Sequence, residues 1–253
     1  MTPIEAKTPA QLAEMRQAGR VVAEVLELLS GIAEPGMTTE QLDRAAEDHI
    51  VSSGARPSFK GYHGFPAAIC ASVNEEVVHG IPSARKLREG DLLKVDVGAE
   101  WHGYHADAAV TVAIGEVGEE ARRLMQATRA SLNAGLAVMR AGVQVSAISA
   151  AVQKVVEENG FSVVTEYTGH GIGRALHEDP KVPNFVGGRW LPHNPVLGRG
   201  VAIAVEPMVN VGTERTEVLD NGWTVVTRDR KLSAHFEHTV AVEEEGPVIL
   251  TLP

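Results

Sequence analysis

The feature that most constrains the fold of this chain is a repeat in the order of its elements. Two helical stretches followed by strands occur in the first half, and the same order returns in the second half. Gly36 and Gly54 recur as Gly142 and Gly160, an offset of 106 residues in both cases (142 − 36 and 160 − 54). Two α+β halves related in this way are expected to pack about a pseudo-twofold axis, with their sheets meeting at the centre. Two unrelated amphipathic helices that each end in glycine would also match, so chance similarity stays open.

The helices and strands follow from capping signals and hydrophobic periodicity. Thr8, Pro9 and Gln11 predict a helix over residues 8–31 that begins with a capping box. Three further helices are predicted over residues 38–53, 119–140 and 146–159. Strands are predicted over residues 69–73, 92–97, 110–114, 161–165, 201–205, 224–227 and 239–242. We predict one domain over residues 1–253, with pseudo-repeat halves at about 8–115 and 116–253.

Composition excludes several classes of function. The formal charge is −10 and no basic run is present, which argues against a nucleic-acid surface. The single cysteine, Cys70, rules out an intramolecular disulfide and fits a reducing compartment. The first residues lack the pattern of a signal peptide, and no apolar run approaches the roughly 18 residues that span a bilayer. These features predict a cytoplasmic protein that acts on neither DNA nor membranes.

Acidic residues stand where strands are expected to be apolar. Asp96 lies inside the run LLKVDVG, and Asp107 follows 11 residues later, so a hairpin would bring the two carboxylates side by side. In the second half, Glu206 ends the run VAIAV, and Glu237 leads into the strand predicted from residue 239. One such residue is commonly a turn or cap residue. Four of them, two in each half, indicate a shared site.

Carboxylates gathered in this way would repel one another and retain protons unless cations neutralised them. Two divalent ions supply +4 against −4, and oxygen ligands with one imidazole suit Mn, Fe, Co or Zn. His170 lies in GHGIGRALHEDP between Gly169 and Gly171, where a bare backbone would let the imidazole approach an ion. A flexible loop with a solvated histidine is the other interpretation of this stretch.

The chain resembles the type I methionine aminopeptidases, a metallopeptidase family of the pita-bread fold, over nearly its whole length. The motifs that carry the resemblance are ICASVNEEVVHGIP, KVDVG, HAD, GHGIGRALHEDP, VEPMVN, NGWT and FEHT. The resemblance implies an α+β pita-bread (creatinase/aminopeptidase-like) fold, with two pseudo-symmetric halves around a central antiparallel sheet.

The resemblance also implies a set of metal ligands. Asp96 corresponds to a ligand of one metal alone, and Asp107 and Glu237 correspond to carboxylates that bridge two metals. His170 and Glu206 correspond to ligands of the other metal. The implied cofactors are two divalent ions, for which Co, Mn, Fe, Zn and Ni are the candidates.

Two further histidines correspond to catalytic residues that do not bind metal. His79 and His177 are expected to contact the substrate amide and the developing tetrahedral intermediate, and Glu206 is the candidate for moving a proton to the leaving amine. The implied activity is hydrolysis of the N-terminal methionine from nascent proteins and peptides by a dinuclear metal-bound hydroxide, with a small second residue preferred.

The methionine side chain is expected to bind in a pocket whose residues are Tyr62, Phe65, Cys70, Leu176 and Trp223. Apolar, polarizable walls suit a thioether, although ordinary core packing would also explain any one of these residues. Asn74, Glu76 and Ser233 correspond to a loop that holds a monovalent cation in relatives.

This sequence departs from the family pattern near the expected site. Ala106, Ala108 and Ala109 flank Asp107 where small or hydroxylated residues are expected, Leu176 replaces an aromatic residue, and His235 replaces a glutamine. These changes affect the shape of the pocket and the hydrogen bonds around the ligands. The five predicted ligands are unchanged.

Two alternatives remain open at the level of sequence. A prolidase or Xaa-Pro aminopeptidase would share the ligands but usually carries an extra N-terminal domain, for which a first helix near Thr8 leaves no room. A metal-free binding scaffold of the same fold would be expected to lack ligands. Ribosome association is compatible with an enzyme of nascent chains, although no basic arm indicates it, and a monomer is expected.

Overall fold

The structure is a computed structural model that describes residues 4–187 and 194–253. Residues 1–3 and 188–193, which the single-domain prediction includes, lie outside the described residues. The α-helices of the described chain are α1 (Pro9–Ile32), α2 (Thr39–Ser52), α3 (Glu119–Ala137) and α4 (Val145–Glu158). A short 3₁₀ helix covers Tyr62–Gly64.

The strands of the described chain are β1 (Arg56–Pro57), β2 (Ile69–Val73), β3 (Glu76–Val78), β4 (Leu92–Trp101), β5 (Tyr104–Ala113), β6 (Val143–Gln144), β7 (Ser162–Val163), β8 (Gly169–Gly171), β9 (Glu178–Val182), β10 (Val196–Leu197), β11 (Ala202–Val205), β12 (Met208–Asn210), β13 (Thr216–Val218), β14 (Val225–Thr227), β15 (Ser233–His235), β16 (His238–Val242) and β17 (Pro247–Ile249). All pairings between these strands are antiparallel.

The capping box predicted for the first helix is present. The Thr8 side chain accepts a hydrogen bond from the Gln11 amide, and the Gln11 side chain accepts one from the Thr8 amide at 2.7 Å. The same arrangement opens α2 at Thr38. Such a cap stabilises a helix by about 1 kcal/mol, which fixes where the two helices begin.

Helix α3 ends three residues before its predicted limit of residue 140. The chain leaves the helix because the Ala141 amide donates to the carbonyl of Glu243, which lies between β16 and β17. An amide engaged in a tertiary hydrogen bond cannot also continue the helix.

Strands β4 and β5 form a hairpin that is longer than predicted. Trp101 pairs with Tyr104 across a two-residue turn, in which His102 and Gly103 have φ values of 48° and 82°. Two positive φ values are typical of the hairpin turn that matches the twist of the strands. Asp96 is opposite Ala109, so Asp107 lies two residues along the neighbouring strand on the same face as Asp96.

Each helix pair covers one sheet. Helices α1 and α2 pack on the sheet of β1, β2, β4 and β5 through fully buried residues that include Leu29, Leu42 and Val95. Helices α3 and α4 pack on the sheet ordered β17-β16-β11-β8-β9, where Ile203 and Val240 are fully buried. Burying each such side chain contributes roughly 1.5–3 kcal/mol. The order helix, helix, strands thus occurs twice, and the division into pseudo-symmetric halves stays a prediction.

Hydrogen bonds join the two sheets side by side along β5 and β16. The Glu237 amide donates to the Ala109 carbonyl at 2.9 Å, and the Thr239 hydroxyl donates to the Asp107 carbonyl at 2.7 Å. The Thr111 hydroxyl donates to the carbonyl of His235 at 2.7 Å. The seam between the sheets therefore runs through two of the predicted ligands. Among the described residues, no helix is both long enough and apolar enough to cross a membrane.

Candidate metal centre

The strand order places the predicted ligands on neighbouring strands. Asp96 lies on β4, Asp107 on β5 and His170 on β8. Glu206 directly follows β11 and Glu237 directly precedes β16, and the last pair of that ladder, Val205 with His238, holds the two glutamates next to each other. Because β5, β16, β11 and β8 are consecutive neighbours, residues far apart in sequence lie within one short row.

The side chains of this row meet at close range. Nε2 of His170 lies 3.6 Å from Oδ2 of Asp107 and 3.4 Å from Oε1 of Glu206. Asp107, His170 and Glu237 each offer a ligand atom, and these atoms all lie within 4.8 Å of one another. All three residues are buried, with 3% of their surface exposed. Such distances between ligand atoms are those of groups that can share a metal ion.

The two glycines beside His170 make room for neighbouring backbone. A Cβ atom on Gly169 would lie 2.3 Å from the Ala204 carbonyl oxygen, and one on Gly171 would lie 2.1 Å from that of Asp179. Nδ1 of His170 lies 2.9 Å from the Gly171 carbonyl oxygen. A carbonyl oxygen only accepts, so Nδ1 carries the proton and Nε2 presents its lone pair to the carboxylates. Burial lowers the pKa of His170 to about 3, which keeps the ring neutral.

The four carboxyl groups are strongly perturbed. Burial, followed by the charge of Asp107, raises the pKa of Asp96, Glu206 and Glu237 well above the usual range. Burial also raises the pKa of Asp107 to about 7, although a hydrogen bond from Thr239 acts in the opposite direction. The protein alone therefore favours protonated carboxyl groups, and a divalent cation would favour the ionised forms.

The residues present fit divalent metal ions. Oδ1 of Asp96 is buried and has no hydrogen-bond partner among the described residues, which suits an oxygen that contacts a cation. Four carboxylates with one neutral imidazole form a donor set of hard oxygens and one nitrogen, typical of sites for Mn, Fe, Co or Zn.

One cavity of about 510 Å³ is lined by every residue predicted for the site. These are the five ligands, His79, His177 and the five pocket residues named above. The cavity also contains residues that sequence reasoning missed, which are Phe59, His63, Val78, Glu166, Tyr167, Thr168, Lys181 and Met208. Met208 lies inside the VEPMVN motif, which could have identified it, whereas Tyr167 and Lys181 carried no separate signal.

The two predicted catalytic histidines lie at different depths. The ring centroid of His177 is 4.2 Å from that of His170, and Nδ1 of His177 lies 2.7 Å from the Tyr62 hydroxyl oxygen. His79 is half-buried, has a positive φ of 59° and stands edge-on to Trp223. Burial lowers the pKa of His79 to about 4, so this ring is neutral at physiological pH.

The apolar side of the cavity contains the predicted pocket residues. Phe65 and Trp223 pack edge to face with their ring centroids 5.1 Å apart. Cys70 and Leu176 are buried in the same hydrophobic cluster. Burial raises the pKa of the Cys70 thiol, so the sulfur stays neutral and acts as a small apolar wall.

The predicted monovalent-cation loop contains a lysine that sequence reasoning missed. Nζ of Lys94 donates to the Asn74 carbonyl oxygen at 2.7 Å, and the Ser233 amide donates to the same oxygen at 3.1 Å. Burial lowers the pKa of Lys94 to about 7, and the carboxylates of Glu76 and Glu75 oppose that decrease. The signal was a lysine inside the buried run LLKVDVG.

His235, which departs from the family pattern, is buried beside Glu237. Both of its ring nitrogens lack a hydrogen-bond partner among the described residues, and its Nε2 lies 3.9 Å from Oε2 of Glu237. Burial lowers the pKa of His235 to about 3. A neutral imidazole therefore stands where the family pattern leads us to expect an amide.

Comparisons with known proteins agree with this geometry. Residues 13–244 match the model of metallopeptidase family M24. A methionine aminopeptidase of Clostridium acetobutylicum is 51% identical over 247 residues, which cover 97% of this chain and 98% of that protein. The crystal structure of a methionine aminopeptidase from Thermotoga maritima superposes with a TM-score of 0.95 at 41% identity, covering 99% of this chain and 100% of that one.

A more distant structure shares the fold alone. The prolidase from Pyrococcus furiosus is 19% identical, has a TM-score of 0.80 and covers 98% of this chain but 65% of its own. The predicted α+β pita-bread fold, the resemblance to methionine aminopeptidases and the expectation of a hydrolase are confirmed. This chain belongs to metallopeptidase family M24.

Proposed function

We propose that this chain is an aminopeptidase that removes the N-terminal methionine from nascent proteins and peptides. The observation that supports this most directly is the composition of the cavity that contains the predicted ligands. Carboxylates from both sheets, four histidines and an apolar pocket face the same space of about 510 Å³. A metal centre next to a pocket for a thioether is the arrangement that such a reaction needs.

Two divalent ions would be held by the five predicted ligands. Asp96 would bind one ion and His170 with Glu206 the other, while Asp107 and Glu237 would contact both. When bound, such ions polarise a carbonyl group and make water nucleophilic at neutral pH. The seam between β5 and β16 supports this assignment, because it holds both proposed bridging carboxylates on adjoining strands.

The protein groups around the metals would orient the substrate and move protons. The Tyr62 hydroxyl would donate to Nδ1 of His177, which leaves the His177 proton on Nε2, available to the scissile carbonyl oxygen. His79 would contact the amide of the bond that is cleaved. Glu206 would take a proton from the attacking water and pass it to the leaving amine.

The substrate side chain would bind against Phe65, Trp223, Cys70 and Leu176. These residues are apolar or polarizable and stay uncharged, so methionine would be favoured over charged side chains. We also propose a preference for a small second residue, action as a cytoplasmic monomer, and access to chains at the ribosome.

A peptide-cleavage assay across a metal series tests the proposal. Protein purified without chelator and supplied with Mn, Fe or Co should release methionine from Met-Ala-Ser, and excess chelator should abolish the release. A peptide with a bulky second residue should react slowly, and Leu-Ala-Ser should react more slowly than Met-Ala-Ser. Faster cleavage of Ala-Pro peptides would support a prolidase-like enzyme instead. Bound metal without any cleavage would contradict an enzymatic role.

A further inference from the structure

Lys94 is a lysine that is buried almost completely inside the protein. It lies on β4 with 1% of its surface exposed, two residues before Asp96 and therefore on the same face of the strand. Lysine is almost never fully buried unless it is paired. Burial lowers its pKa, and the nearby acidic residues Glu76, Glu75 and Asp91 oppose that decrease.

The Lys94 amino group contacts the backbone at Asn74. Its hydrogen bond within the described residues is the 2.7 Å contact with the carbonyl oxygen of Asn74. Asn74 has a positive φ of 57°, an uncommon conformation for a residue other than glycine. Its side chain accepts from the Leu92 amide at 2.9 Å and donates to Asp91 at 2.8 Å.

The Asn74 carbonyl oxygen also links segments that are far apart in sequence. The Asn74 carbonyl oxygen also accepts from the Ser233 amide, at the start of β15. Strand β3 begins two residues after Asn74 and leads directly to His79. The turn at Asn74 thus sets the path of the segment that carries one predicted catalytic histidine.

We propose that the amino group of Lys94 takes the place of the monovalent cation expected among Asn74, Glu76 and Ser233. The expected ion would need the Asn74 carbonyl oxygen, and Lys94 already donates to that oxygen from inside the protein. That oxygen accepts from both the Lys94 amino group and the Ser233 amide, so neither of its two lone pairs is left for a free cation. Lys94 is then a positioning residue that ties β4 to the turn before His79, and this chain needs no added monovalent ion.

Thermal unfolding of the metal-loaded protein tests the inference, and its outcome does not depend on whether the chain cleaves methionine. The unfolding temperature is measured in chloride salts of K⁺, Na⁺, NH₄⁺ and tetramethylammonium at one ionic strength, about 0.1 M. The unchanged protein should unfold within about 1 °C in all four salts, because no ion binds selectively. A selective rise in K⁺ or Na⁺ would overturn the proposal, and this measurement needs no variant.

Removal of the amino group should create a vacancy that a small cation can fill. In Lys94→Ala, the unfolding temperature should fall, and K⁺ or NH₄⁺ should restore roughly 5–10 °C at a concentration about 100 times Kd, whereas tetramethylammonium should not. Lys94→Met fills the space without a donor and should lose stability without gaining rescue by any ion. Lys154→Ala, at a lysine whose side chain is 73% exposed, is the matched control and should respond to no ion. Lys94→Ala without ion-selective rescue would contradict the proposal.

Discussion

Asp107→Asn gives the sharpest test of how the acidic cluster affects stability. The substitution removes a buried charge but keeps an oxygen in the position that accepts a hydrogen bond from the Thr239 hydroxyl at 3.0 Å. Without metal, the Asp107 carboxylate destabilises the folded protein at neutral pH, because its folded-state pKa of about 7 lies far above its ordinary value of 3.8. With metal bound, the same carboxylate becomes a proposed bridging ligand. The substitution should therefore stabilise the protein in chelator and destabilise the metal-loaded protein.

The magnitude follows from the two pKa values of Asp107. A raised folded-state pKa means that the folded protein holds a proton that the unfolded chain has already lost, so stability falls as pH rises from 3.8 to about 7. A shift of roughly 3 units at about 1.4 kcal/mol per unit amounts to on the order of 4 kcal/mol. Asparagine does not titrate, so the stability of the variant does not fall with pH for this reason. For a chain of this size, the difference corresponds to roughly 10 °C in unfolding temperature.

The assay compares unfolding of the two proteins in chelator at about pH 4 and about pH 8. Between these values, the stability of Asp107→Asn relative to the unchanged protein should rise by on the order of 4 kcal/mol. The buried histidines titrate in both proteins and cancel in the comparison, whereas Asp96, Glu206 and Glu237 lose the Asp107 charge that raises their pKa and so add to the difference. In saturating Mn²⁺ the unchanged protein should be the more stable of the two. Asp220→Asn, at an exposed position, is the control and should show neither effect.

Two results would exclude a raised pKa or a ligand role for Asp107. If Asp107→Asn and the unchanged protein lost stability in parallel across this pH range in chelator, then Asp107 would not carry a raised pKa. If Mn²⁺ stabilised both proteins equally, Asp107 would not be a ligand.

Three further predictions concern single residues. Glu206→Gln, assayed at saturating metal, should lower kcat by about 100-fold or more and, like Asp107→Asn, weaken the stabilisation by metal; unchanged turnover would remove Glu206 from the proposed proton transfer. Tyr62→Phe removes the hydroxyl that lies 2.7 Å from His177, and kcat for Met-Ala-Ser should fall about tenfold while metal binding persists; an unaltered kcat would show that this contact is not used. Gly171→Ala places a Cβ atom 2.1 Å from the Asp179 carbonyl oxygen and should lower the free energy of unfolding in urea by about 3 kcal/mol. An unchanged free energy of unfolding would show that β8 tolerates alanine at this position.

Local signals predicted the helices well, and they predicted the two strands of the hairpin but not their full length. The capping box at Thr8 fixed the start of α1, and β4 and β5 follow from long apolar runs on either side of a turn. Strands β8, β9, β12 and β15 were not predicted, since they lack the continuous apolar run that identified β2 and β11. Their formation depends on pairing with distant segments rather than on local sequence.

The candidate ligands could be identified from sequence because each is a polar residue out of place in an apolar run. Their proximity could not be derived in that way, since the contact between Asp107 and Thr239 spans 132 residues. The contact made by Lys94 could not be predicted from the sequence. It stands in the same run as Asp96, yet only the folded chain reveals that its amino group reaches the Asn74 carbonyl oxygen.

The central claim is that carboxylates from both sheets gather to hold two divalent ions. Anomalous diffraction from crystals loaded with Mn²⁺ or Co²⁺ tests it most directly. The account predicts two peaks in the cavity, one about 2.0–2.3 Å from His170 and Glu206 and one at that distance from Asp96, with Asp107 and Glu237 touching both. A single peak away from these residues, or none in crystals saturated with metal, would contradict the account.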